Sequence, residues 1–129
     1  MVGLDTGFFI ALMKKDEKAK QFWSRLSSSE DFPIVSVLTL GEILYFSYRV
    51  GKSAQGKKIV KGIDTACSVK VVDRDIMEKA AALKHGRGMP YVDSLILATF
   101  LISGCKEIHT TDKNHFKNIG QKGLNVVFW

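Results

Sequence analysis

A chain of 129 residues that is 46% apolar and 25% charged fits one domain around one hydrophobic core, and excludes long disordered tracts. Nineteen lysines and arginines against 13 acidic residues leave a net charge of +6, which favours an acidic partner, nucleic acid being the commonest. No apolar run approaches the ~20 residues of a membrane span, and Asp5 interrupts the first apolar run where a secretion signal needs continuity, so a cytoplasmic protein is expected.

The elements alternate along the chain. Val2 to Asp5 is expected as a short buried strand, followed by helices over Thr6 to Lys14 and Glu17 to Ser27. In the second helix Ala19, Phe22, Trp23 and Leu26 fall on one face. After the polar loop of residues 27–31, Pro33 to Ser36 reads as a strand, and Val37 to Val50 and Ala54 to Cys67 as helices. Val69 to Val72 is a predicted strand and Asp75 to His85 a helix. Val92 to Ser103 is a strongly apolar helix closed by Gly104. Glu107 to Thr110 is a strand, Lys113 to Asn118 a short helix, and Asn125 to Phe128 the last strand. Short apolar strands separated by helices predict a central, mainly parallel sheet of four to five strands in a three-layer αβα sandwich, a single unit over residues 1–129.

Four acidic residues stand out by position. In open parallel sheets, ligands bind beyond the carboxyl ends of the strands. Asp5 closes the first strand, Glu42 lies within two turns of the start of the helix leaving the second, Asp93 opens the helix before the fourth, and Asp112 follows the fourth. Without them the charge balance is 19 − 9 = +10, a basic protein with one concentrated acidic spot. Asp5, Asp93 and Asp112 each precede a predicted helix and could serve as N-caps. Glu42 resists that account, because Leu38, Leu40, Ile43, Leu44, Tyr45 and Phe46 surround it in sequence. Its alternatives are a solvent-facing position or an ion pair with Arg49 or a lysine. A cluster of carboxylates suits Mg2+ or Mn2+, hard ions that take oxygen ligands, neutralise phosphate charge and activate water.

Four segments carry a family resemblance: LDTGFFIAL over residues 4–12, LTLGEIL over 38–44, YVDSLILATFLI over 91–102 and HTTDKNHF over 109–116. Each is weak alone, but together, in this order and spacing, the pattern resembles the PIN domain, and especially the VapC-like toxins of toxin–antitoxin pairs. The resemblance implies an αβα fold, an endoribonuclease dependent on Mg2+ or Mn2+, and often a homodimer. It implies a toxin restrained by a cognate antitoxin, with RNA as substrate. It assigns metal binding to Asp5, Glu42, Asp93 and Asp112, and supporting hydroxyl roles to Thr6 and Thr110. One departure is Asn114, where many relatives carry a further acidic residue; another is Phe116, which closes its motif one residue late. Both leave one metal ion as the expectation and a second as a hypothesis. The rivals are an RNA-processing or decay nuclease of the same fold without an antitoxin, and a non-catalytic RNA-binding module. The presence of all four carboxylates argues against the latter. An aspartyl-phosphate phosphatase would need an aspartate where Gly7 stands.

Among the remaining residues, Arg87, Lys113 and Lys117 flank the acidic positions and are candidates for gripping RNA phosphates, with simple solvation the competing account. Lys57, Lys58 and Lys61 read as a solvated helix face. His85, His109 and His115 lack zinc-type spacing. Cys67 and Cys105, each among apolar neighbours, read as buried free thiols. The helix from Val37 to Val50 is apolar on more than one face, through Tyr45, Phe46, Tyr48 and Val50, and is expected to be covered partly by a neighbouring helix and partly by a partner.

Overall fold

A computed structural model describes residues 1–129. In chain order the elements are β1 (Val2–Leu4), α1 (Thr6–Met13), α2 (Glu17–Ser27), β2 (Ile34–Ser36), α3 (Val37–Arg49), α4 (Ser53–Ala66), β3 (Ser68–Lys70), α5 (Arg74–Arg87), α6 (Tyr91–Ile102), β4 (Glu107–Thr110) and β5 (Asn125–Phe128). The five strands form one sheet in the order β3-β2-β1-β4-β5, and every pairing is parallel. Parallel neighbours require crossover connections, which the helices supply. The result is the three-layer αβα sandwich anticipated from the alternation of elements.

The period of two along each strand divides the core between the faces. On one face Leu4 and Val35 pack with Phe8, Phe9, Met13, Ala19, Ile43 and Ile63 from α1 to α4. On the other, Ile34 and Ile108 pack with Ile96, Leu97 and Phe100 of α6. Gly3 lets α6 approach β1 closely, since a Cβ there would lie 2.6 Å from the Phe100 ring. The α3 helix is partly covered by α4, and a Cβ at Gly56 would overlap Ser47. Tyr45, Tyr48 and Val50 of α3 nevertheless remain exposed. Cys67 and Cys105 are buried free thiols, and burial pushes them up to about 12 and about 11.

One expected element does not form. Residues 113–118 are a run of turns, not a helix. Asp112 accepts at Oδ1 from the backbone N–H groups of Asn114 and His115, at 3.1 and 3.0 Å, which bends the chain at its start. Asn118 closes the segment with φ at 55°, in the left-handed region. The β3 strand also starts earlier than expected and stops before Val71, which is exposed. Gly104, at φ 78°, follows the Ser103 cap of α6, in keeping with the sequence.

Candidate metal centre

The site lies beyond the carboxyl ends of β1 and β4. Asp5 leaves β1 and caps α1, its Oδ1 accepting from the Thr6 N–H at 2.8 Å. Its Oδ2 accepts from Thr110 Oγ1 at 2.6 Å, and its own N–H donates to the His109 carbonyl on β4. Asp5 is only 7% exposed. Burial pushes its carboxyl up to about 6, a rise that the Thr110 and Thr6 hydrogen bonds oppose and the charges of Asp93 and Glu42 reinforce.

Thr110, the last residue of β4, works in two directions. Its hydroxyl donates to Asp5 and accepts from the Asp112 N–H at 3.0 Å. The close passage of the following loop needs Gly7, because a Cβ there would overlap Thr111 Oγ1. Glu42 sits in the second turn of α3. Its Oε1 accepts from Thr6 Oγ1 at 2.6 Å, and Thr39 Oγ1 lies 3.0 Å from the same hydroxyl. No cationic side chain pairs with Glu42. Arg49, its potential partner in sequence, lies over the Tyr45 ring instead.

Asp93 occupies the first turn of α6 but is not its cap, a position that falls to Pro90. Burial raises its pKa, and Asp112 and Glu42 raise it further, while His115 lowers it. Asp112 uses Oδ1 for the turn described above and turns Oδ2 to His115 Nδ1 at 2.8 Å. The same nitrogen lies 3.7 Å from Asp93 Oδ2. One donor atom from each of Asp93, Asp112 and His115 lies within 4.8 Å of the other two. Of the capping accounts only that of Asp5 is correct, without being complete: Asp112 bends a turn in place of the expected helix. His115 and Thr39 do not stand out in the sequence. Their signals are spacing alone: Thr39 lies three residues before Glu42 on α3, and His115 three after Asp112.

This donor set fits a hard divalent cation. Asp5 feels the charges of Asp93 and Glu42, Asp93 those of Asp112 and Glu42, no lysine or arginine pairs with any of the four, and burial and this repulsion drive Asp5 and Asp93 toward protonation. A bound cation relieves that repulsion while taking the oxygen ligands it prefers.

The surrounding basic residues separate into two kinds. The Arg87 guanidinium donates to the carbonyls of His115, Lys117 and Asn118 at 2.7–2.9 Å. It is a latch on the 113–118 turn. Lys113 and Lys117 are exposed and line an open groove with Asn114 and Phe128. His109 is buried elsewhere, between the Trp129 Nε1–H and Glu107, and burial lowers its pKa.

A parallel αβα sandwich with an acidic cluster beyond its strand ends defines the class. The sequence matches the PIN domain over residues 2–122, and the chain belongs to that family. Its fold is similar to that of a toxin–antitoxin complex chain from Klebsiella pneumoniae, at 22% identity over 98% of this chain and 96% of that one, with a TM-score of 0.76. A chain of DNA-bound VapBC from Salmonella typhimurium is similar at 18% identity, covering 99% and 97%, with a TM-score of 0.75. A chain of VapBC2 from Rickettsia felis, bound to a promoter DNA fragment, is similar at 17% identity, covering 100% and 99%, with a TM-score of 0.77. At these identities the likeness is one of fold. No curated protein is a significant match.

Proposed function

We propose that this chain is a metal-dependent endoribonuclease and the toxin of a type II toxin–antitoxin pair. The observation that carries the reading is that Asp5 and Asp93 each feel the charge of the other acidic residues at this end of the sheet, with no lysine or arginine paired to any of them. Membership of the PIN family and the fold shared with VapBC chains support it. So does the net charge of +6, which attracts a polyanion to a protein whose acidic groups are gathered in one place.

In this reading the four carboxylates hold Mg2+ or Mn2+. The cation, when bound, supplies a more acidic water and neutralises charge on the scissile phosphate. The chain's own residues do the positioning. Thr110 fixes Asp5 and the backbone of Asp112 with one hydroxyl; Thr6, backed by Thr39, fixes Glu42. Lys113 and Lys117 take RNA phosphates along the groove that ends at Phe128. Hydrolysis adds water across one phosphorus–oxygen bond. Residues 1–129 act as one nuclease unit in the cytoplasm, and the exposed Tyr45, Tyr48 and Val50 of α3 are covered by a second subunit or an antitoxin.

The test is cleavage of RNA by purified protein with Mn2+, and with EDTA in its place. Cleavage is expected only with metal, and is lost in Asp5→Asn and Asp93→Asn proteins whose circular dichroism is unchanged. Full activity in both variants sinks the assignment. Mn2+ bound without any cleavage supports a non-catalytic RNA-binding module instead.

A further inference from the structure

We propose that His115 Nδ1 is a direct ligand of the divalent cation, giving the site a mixed nitrogen–oxygen donor set that favours Mn2+ over Mg2+. The inference rests on the metal-site reading above and goes beyond it, since it adds a ligand and a metal preference.

Asp112 commits Oδ1 to the N–H groups of Asn114 and His115, so Oδ2 is the oxygen left to face the site. That oxygen lies 2.8 Å from His115 Nδ1, and Asp93 Oδ2 lies 3.7 Å from the same nitrogen. Around an ion with ligand bonds of about 2.1 Å, neighbouring donors in an octahedron stand about 3 Å apart and opposite ones about 4.2 Å. The separations in the structure fall in or near that range before any ion draws the groups together.

The ring is also placed by more than chance contact. The His115 N–H is tied to Asp112, its carbonyl is held by Arg87 Nη2 at 2.9 Å, and the next residue, Phe116, is 1% exposed. This turn replaces the helix expected from sequence, and the replacement brings His115 to Asp93. The side chain is about one-third exposed, which leaves Nε2 free to carry the ring proton while the Nδ1 lone pair binds metal. Asn114 brings no carboxylate to this loop, so the nitrogen of His115 is its added donor beside Asp112. Imidazole suits first-row transition ions, whereas Mg2+ prefers carboxylate and water oxygens. The competing account is that His115 only donates a hydrogen bond to Asp112 from outside the coordination sphere.

Pulsed electron paramagnetic resonance of the Mn2+-loaded full chain separates the two. Directly bound imidazole couples the manganese electrons to 14N, and 15N-histidine labelling converts that signal to a 15N coupling without changing any atom's position. His85 and His109 lie outside the acidic group, so the coupling reports His115. In His115→Asn the coupling is expected to vanish, and Mn2+ affinity to fall at least about tenfold, with a smaller loss for Mg2+. Bound Mn2+ with no nitrogen coupling in the labelled wild type overturns the proposal and leaves the carboxylate site standing. Failure to bind Mn2+ at all overturns both. The labelled wild type distinguishes direct from indirect contact by itself, so the outcome does not depend on His115→Asn folding.

Discussion

Thr110 Oγ1 donates a 2.6 Å hydrogen bond to Asp5 Oδ2, joining residues 105 apart in sequence at the carboxyl ends of two adjacent parallel strands. The same hydroxyl accepts from the Asp112 N–H, so one buried oxygen positions two acidic residues. A threonine at this strand end gives the site both a donor and an acceptor from a single small side chain.

Replacing Thr110 by valine keeps the shape and removes both bonds. The Asp112 N–H loses its partner and Asp5 loses a bond that favours its charged form, so the Asp5 pKa rises further. The expected cost is about 1–3 kcal/mol of stability, the usual penalty for a buried polar group left unpaired. The acid limb of the pH–rate profile for RNA cleavage should move to higher pH, and Thr110→Ser should restore it. Urea denaturation and the pH profile check the two effects separately.

Asp5 also makes the metal-free protein's stability depend on pH. Its carboxyl is raised to about 6 in the folded state. The unfolded chain has the ordinary value of about 3.9. The folded protein therefore binds more protons between those values, and stability falls as pH rises through that window. In EDTA, Asp5→Asn is expected to be more stable than wild type near pH 7.5, by up to about 3 kcal/mol at about 1.4 kcal/mol per pH unit, and to show no such gain near pH 4. Adding Mn2+ near pH 7.5 should reverse the order by stabilising wild type alone. An identical difference between the two proteins at both pH values, without metal, contradicts the burial of a charged Asp5.

Arg87 offers a third test, because its guanidinium faces three carbonyls of the turn that carries His115. Arg87→Met should loosen that turn, cost about 2 kcal/mol for the lost charged hydrogen bonds, and lower kcat about tenfold through misplaced Asp112. KM for RNA and its salt dependence should change little. A variant with unchanged kcat and a weaker salt dependence of binding would return Arg87 to the phosphate-gripping role.

Much of the architecture is legible in the sequence because it is written in short-range patterns. The short strand segments Ile34–Ser36 and Glu107–Thr110, separated by stretches of helical periodicity, leave few alternatives to a parallel sheet. Asp5, Glu42, Asp93 and Asp112 draw attention in the sequence for a related reason: each lies just after a strand or early in a helix, and parallel topology sends those positions toward one end of the sheet. The 113–118 segment is not legible, because its turn depends on a side chain from elsewhere. Residues Lys113 to Asn118 have nothing in their own sequence to announce that Arg87 will take three of their carbonyls. The role of Arg87 is hidden for the same reason.

By itself the sequence determined the αβα class and the element order apart from residues 113–118, because periodicity and chain order are local properties. Only the tertiary structure decided that Thr110 holds Asp5, that Thr6 and Thr39 hold Glu42, and that His115 joins Asp93 and Asp112. Those contacts connect side chains from different strands, helices and loops, and their distances are set by how closely the elements pack. Gly3 against Phe100 and Gly7 against Thr111 fix that closeness, and neither approach can be read from the glycines alone.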